Sequence, residues 1–265
     1  MYVEINDTRV YVATGGKAFD STLPTVVFLH GSGMDHRCWA LQTRWFAFHG
    51  FSVLAPDLPG HSLSGGEPLP DIESMASWLW QLLDQLGVEN ASLVGHSQGG
   101  LIALEAAALN PGRVSSLSMI ACAAAIPVND QLLALANDNQ PAAVKAMLDW
   151  GFGSPYHAGL SALPGQAPIG IGSRIMNSNP LDVDLRACNA YASGSERAAA
   201  LDVPALMIIA RQDRMTPARA GRALADALPD LRSIVELDDA GHMLPIEAPR
   251  RCLAALKQFI SSLCS

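Results

Sequence analysis

One serine stands between glycines in Gly95-His96-Ser97-Gln98-Gly99, after the apolar run Ala91–Val94 and before a helix-like segment. That is the strand–turn–helix setting in which a G-x-S-x-G turn lifts a hydroxyl above a sheet. The flanking glycines leave room for the chain to fold back, and the amides that follow point toward an incoming anion. A serine hydroxyl is a weak nucleophile at its free pKa; it needs a base, and the base needs an orienting acid. Seven histidines compete for the base. His96 adjoins Ser97 and is expected to point to the other side of the elbow. His36 and His49 lie in or beside the first helix, His157 lies in a long insertion, and His30 and His61 sit in loops. His242 is left, in Asp239-Ala240-Gly241-His242-Met243 just past the last apolar strand. For the acid, Asp213 follows the strand Ala205–Ala210, on the edge where Ser97 and His242 lie. Asp238 and Asp239 are rivals, but their closeness to His242 in the chain suits them better to shaping its loop.

An acyl-transfer site also needs backbone N–H donors for the developing oxyanion. The sequence offers Gln98, directly after the serine, and the loop His30-Gly31-Ser32-Gly33-Met34, where Ser32 is the first choice and Gly33 the reserve. His30 is expected to tie this loop down, and Asp57-Leu58-Pro59-Gly60-His61-Ser62 to be a structural loop beside the site.

These residues need a scaffold that brings strand ends to one edge. A hairpin is expected around Asn6-Asp7, followed by runs apolar on both faces: Thr25–Leu29, Ser52–Ala55, Ala91–Val94, Leu117–Ala121, Ala205–Ala210 and Ser233–Leu237. Such strands suit a parallel sheet covered on both sides. Helix-like segments alternate with them at about Trp39–His49, Ile72–Leu86, Gln98–Leu109, Ala218–Leu228 and Ala248–Leu263, which argues for a doubly wound α/β sheet. From 126 to 198 the alternation stops. Helical pieces are expected at Asp130–Ala136, Pro141–Asp149 and Leu181–Tyr191, with a loop-like stretch between Gly151 and Pro180. This reads as a helical cap inserted into a core of residues 1–125 and 199–265, roofing the strand ends where ligands of open α/β sheets bind.

The composition bounds the function. At about 150 residues per domain, 265 residues correspond to about 1.8 domains. The chain is 49% hydrophobic and 16% charged, with 17 basic and 25 acidic residues giving a net charge of −8. A broad electrostatic grip on nucleic acid or an anionic membrane is disfavoured. No secretory signal or membrane-spanning run is visible, and Cys38, Cys122, Cys188, Cys252 and Cys264 form no paired motif. A cytoplasmic protein with reduced thiols is expected.

The His30-Gly31 loop, Asp57–His61, the Gly95–Gly99 elbow, Asp213 with Pro217, and Gly241-His242 together resemble the α/β-hydrolase fold superfamily in its small capped bacterial form. The likeness runs over nearly the whole chain, with the order Ser97, Asp213, His242 typical of that fold. It implies an eight-stranded, mostly parallel sheet with the cap after the sixth strand. Ser62 departs from it, since many members carry a second glycine there. A serine rather than an aspartate speaks against the dehalogenase and epoxide-hydrolase branches. The resemblance implies two-step acyl transfer without metal or organic cofactor, and the few charges in the cap point to a small to medium, mainly apolar small-molecule ester. An acyltransferase, a thioesterase or lactonase, a carbon–carbon bond hydrolase, a perhydrolase and a non-catalytic ligand receptor share the same residues and stay open, as does the oligomeric state. Expected pocket residues are Met34, Trp150, Phe152, Met176, Tyr191 and Met243, with Met147 and Ile175 also available. Arg174 is a further candidate, for a substrate carboxylate.

Overall fold

Strands β1 (Tyr2–Ile5) and β2 (Thr8–Ala13) form the hairpin. Its turn residues Asn6 and Asp7 both take positive φ (49° and 60°), which matches the twist of the flanking strands. The remaining strands are β3 (Thr25–Leu29), β4 (Ser52–Pro56), β5 (Ala91–His96), β6 (Val114–Ile120), β7 (Ala205–Ala210) and β8 (Leu231–Leu237). They make one eight-stranded sheet in the order β1-β2-β4-β3-β5-β6-β7-β8, antiparallel across β1-β2-β4 and parallel from β4 onward. The computed structural model describes residues 1–153 and 168–263.

The two-sided apolar pattern has a direct consequence for packing. Val27, Leu29, Leu93 and Met207 face one core with helices α2 (Ile72–Gln85) and α3 (Gln98–Leu109). Val26, Phe28, Val94 and Ile208 face the other, with α1 (Ala40–Ala47) and α11 (Pro249–Leu263). Alternate residues of each strand thus bury on opposite faces, as a strand's two-residue period requires.

Among the described residues, five helices lie between β6 and β7: α4 (Asp130–Asp138), α5 (Gln140–Gly151), α6 (Pro168–Met176), α7 (Leu181–Ala190) and α8 (Gly194–Ala199). α4 and α5 start on asparagine caps; Asn129 accepts from the Leu132 amide and Asn139 from the Ala142 amide. Two expectations need correction here. α6 occupies part of the stretch read as loop between Gly151 and Pro180, because its Gly170 and Gly172 look like breakers although Ile175 and Met176 bury against the core. α8 was not expected as a helix. Residues 154–167, with His157, and the C-terminal Cys264 lie outside the described residues. The first helix begins earlier, as a 3₁₀ turn over His36–Trp39 leading into α1. The expected segments Ala218–Leu228 and Ala248–Leu263 are α9 (Ala218–Asp226) and α11, which Pro249 opens, and a short α10 (Leu244–Glu247) precedes α11. No helix among the described residues is long and apolar enough to cross a membrane.

Candidate active site

Ser97 follows β5 directly, with φ 53° and ψ −118°, a strained left-handed turn for a residue with a side chain. What permits it is the absence of side chains around it. A Cβ on Gly95 would lie 2.0 Å from the Gly99 carbonyl oxygen, and one on Gly99 would lie 2.2 Å from that of Leu29. The Ser97 amide donates to the Ile120 carbonyl at 2.9 Å, anchoring the elbow to the next strand.

The carboxyl ends of β5, β7 and β8 bring three predicted residues together. The Ser97 hydroxyl lies 2.9 Å from His242 Nε2, and His242 Nδ1 lies 2.9 Å from Asp213 Oδ2. All three are buried, with 6% or less of each residue exposed. Asp213 is filled by four donors. Its Oδ1 accepts the Met215 and Thr216 amides, each at 2.8 Å, and its Oδ2 accepts the Thr216 hydroxyl at 2.7 Å beside His242. Burial alone would raise the Asp213 pKa, but His242 and these hydrogen bonds outweigh it and hold the carboxyl below its ordinary value. The rival acids are engaged elsewhere: Asp238 with Arg211, and Asp239 with Arg251.

The His242 loop is held from three sides. Its own amide donates to the Gly151 carbonyl at the end of α5. The buried Glu247 carboxylate accepts the Gly241 amide at 3.0 Å and the Gly153 amide at 2.8 Å. His96 Nε2 lies 2.8 Å from the His242 carbonyl oxygen. The expectation that His96 turns away from the catalytic side is thus corrected, since its ring packs 5.1 Å from the His242 ring. The carbonyl can only accept, so His96 donates from Nε2. Burial, then the neighbouring His242, press its pKa down to about 3.

Among the described residues, the Ser32 and Gln98 amides have no backbone or side-chain acceptor, and Ser32 lines a cavity with Ser97 and His242. Gly33, the reserve donor, is corrected. Its amide donates to Asp184 Oδ2 at 2.6 Å, so it is committed to the protein. Asp184, buried on α7, also lies 3.0 Å from His61 Nε2, while His61 Nδ1 lies 3.0 Å from the Pro59 carbonyl. Two acceptors facing one ring call for an imidazolium. Burial opposes that charge, but Asp184 prevails and the His61 pKa is raised. Asn179, between α6 and α7, donates to the Gly33 and Met34 carbonyls at 3.0 and 2.9 Å and accepts the Ser62 amide at 2.8 Å. Ser62 takes φ 49°, a left-handed conformation that glycine adopts without strain. His30 Nε2 accepts the Leu58 amide at 3.2 Å, tying two loops together as expected. α7 and the segment that leads into it therefore carry the carboxylate and carboxamide that hold the Ser32 loop. Sequence reading missed both, since nothing local marks partners more than 100 residues apart.

The cavity beside Ser97 measures about 330 Å³. Its apolar wall comes from Leu132, Leu135, Met147, Trp150 and Leu185, with Met215 opposite. Trp150 lines it as expected, and so does Met147. Met34, Phe152, Met176, Tyr191 and Met243 do not; they are buried in core packing. Tyr191 donates its hydroxyl to Glu105 at 2.8 Å, beside an Arg197–Glu105 ion pair. Arg174 and Ile175 line a different cavity, near Met1 and His36. Leu132 and Leu135 were overlooked because their spacing reads as an ordinary amphipathic helix.

A serine, a histidine and an acid at the strand ends of such a sheet define an α/β hydrolase architecture. Residues 26–255 match the family model described as alpha/beta hydrolase family, and the chain belongs to that family. It is 30% identical to the pimeloyl-[acyl-carrier protein] methyl ester esterase of Aromatoleum aromaticum, over 89% of this chain and 98% of that one. It is also 30% identical to the dihydrolipoyllysine-residue acetyltransferase component of the acetoin cleaving system of Pseudomonas putida, but spans only 63% of that relative's length. Among solved structures, the enol-lactonase of Burkholderia xenovorans superposes with a TM-score of 0.86 at 25% identity, covering 98% of this chain and 100% of the other.

Proposed function

We propose that the protein hydrolyses a small to medium, mainly apolar carboxylic ester through an acyl-enzyme intermediate. The observation that carries this reading is the continuous line from Asp213 through His242 to the strained Ser97, with both links at 2.9 Å. His242 Nδ1–H donates to Asp213, which leaves Nε2 as the acceptor for the Ser97 proton. Ser97 Oγ attacks the ester carbonyl as its proton passes to Nε2. The negative oxygen so formed faces the Ser32 and Gln98 amides, and a charge appearing there is stabilised by donors already in place. Collapse breaks the ester bond, and Nε2–H protonates the departing alcohol. Water then gives a proton to Nε2 and attacks the acyl-enzyme, and the returning proton regenerates Ser97 with release of the acid. The chain's own residues account for every proton moved.

We take the 126–198 insertion as a cap that shapes the acyl pocket, since Leu132, Leu135, Met147, Trp150 and Leu185 all come from it. The esterase and enol-lactonase similarities support ester or lactone chemistry. The buried free thiols of Cys38, Cys122, Cys188 and Cys252 support a cytoplasmic setting. The test is a panel of aryl esters of increasing acyl length, run beside a thioester and a lactone, with Ser97→Ala as control. Turnover of the esters, lost in the variant, supports the reading. Turnover of the thioester alone, or ester turnover that persists without Ser97, overturns it.

A further inference from the structure

Charge is distributed unevenly around the cavity. Overall the chain carries −8, yet no acidic side chain lines this cavity among the described residues, and Arg214 is the one Lys or Arg that does. Most arginines here have a carboxylate partner: Arg37 with Asp35, Arg113 with Asp84, Arg186 with Asp182, Arg211 and Arg222 with Glu236, Arg232 with Asp230. Arg214 has none. Its chain neighbour Asp213 cannot serve, because both oxygens are taken by His242, Met215 and Thr216. Lys145 on α5 and Arg186 on α7 pair with Asp149 and Asp182, and neither lines the cavity. A guanidinium is planar with five donors, suited to a carboxylate held by two parallel bonds.

On the side of α4, α5 and α7 the chamber is mainly apolar, with Asn129 and Gln131 as polar lining at the start of α4. At about 30 Å³ per water-sized group, 330 Å³ accommodates roughly ten such groups, a short chain rather than a lipid tail. We propose that the substrate is a monoanionic ester or lactone, its apolar body against Leu132, Leu135, Met147 and Leu185 and its carboxylate held by Arg214. The assignment rests on the serine-hydrolase reading and narrows its substrate from a neutral ester to an acid-bearing one. Arg214 is then a specificity-determining residue that selects among esters sharing one reaction at Ser97.

The experiment compares kcat/KM for matched pairs. One pair is p-nitrophenyl hydrogen adipate against p-nitrophenyl hexanoate, which places the acid on the acyl side. The other is 3-carboxy-4-nitrophenyl butyrate against p-nitrophenyl butyrate, which places it on the alcohol side. The expected result is a preference of about fivefold for the acid-bearing member of one pair, the upper size expected of an ion pair to an exposed guanidinium. That preference should fall as ionic strength rises. Arg214→Gln should bring the ratio close to one and Arg214→Lys should keep part of it. Arg219→Gln, an exposed arginine on the helix after Pro217 and away from the cavity, should leave it unchanged. Neutral esters turned over with no preference for the acid in either pair overturn the proposal and leave the hydrolase reading standing. So does a preference that Arg214→Gln does not move. No turnover of any ester, with no phosphonate adduct on Ser97, overturns the hydrolase reading and this assignment with it.

Discussion

Replacing His96 by Gln should change how stability depends on pH. The ring is buried against the His242 backbone with a folded-state pKa of about 3, against about 6.5 in the unfolded chain. Because the folded value is the lower one, the unfolded chain takes up the proton first. The contribution of this neutral ring is therefore complete above pH 6.5 and is lost as pH falls from 6.5 toward 3. At pH 5 the unfolded chain has gained about 1.5 pH units of protonation free energy, or about 2 kcal/mol at 1.36 kcal/mol per unit. For a chain of 265 residues that amounts to about 3–4 °C in Tm. Glutamine keeps an amide donor for the His242 carbonyl but does not titrate. Urea unfolding of both proteins at pH 7.5 and pH 5.0 isolates the effect. His61, whose raised pKa gives a slope of opposite sign, is common to both and cancels. The wild type should lose about 2 kcal/mol more than His96→Gln over that interval. Parallel losses in the two proteins would refute a buried neutral His96.

Two further outcomes follow from the site. Asp213→Asn should lower kcat by about 10³–10⁴-fold by leaving His242 in the wrong tautomer, whereas Asp239→Asn should cost little; steady-state kinetics that reverse this order would move the acid to Asp239. Asp184→Ala removes the acceptor of the Gly33 amide and the partner of His61. It should lower stability by about 3–5 kcal/mol in denaturant titrations. It should also lower kcat by up to about 10²-fold with little change in KM, as the Ser32 amide loses its alignment. Full kcat in a folded Asp184→Ala would show that the loop holds its shape without α7.

The reach of sequence reading follows from how local each signal is. The elbow is a strand, a turn and a helix start within nine residues, and two-sided apolar strands announce a covered sheet, so Ser97, Asp213 and His242 could be placed at strand ends in advance. The pocket could not be read the same way. Met34, Phe152, Met176 and Met243 are large and apolar near the site, but in a fold covered on both faces such side chains serve packing first. The cavity wall instead uses Leu132 and Leu135, whose sequence context is an unremarkable helix. Asp184 and Asn179 reach loops 117 or more residues away, a distance at which spacing carries no information. Gly33 shows the reverse case: a residue type suited to a donor whose amide the tertiary structure has already taken.

The most direct test of the account is covalent. A fluorophosphonate ester incubated with the folded protein and weighed by intact mass spectrometry should add one adduct per chain. Peptide mapping should place it on Ser97, and the adduct should vanish in Ser97→Ala and form far more slowly in His242→Ala. No stoichiometric adduct, or one that survives Ser97→Ala, would contradict a nucleophilic serine at this elbow.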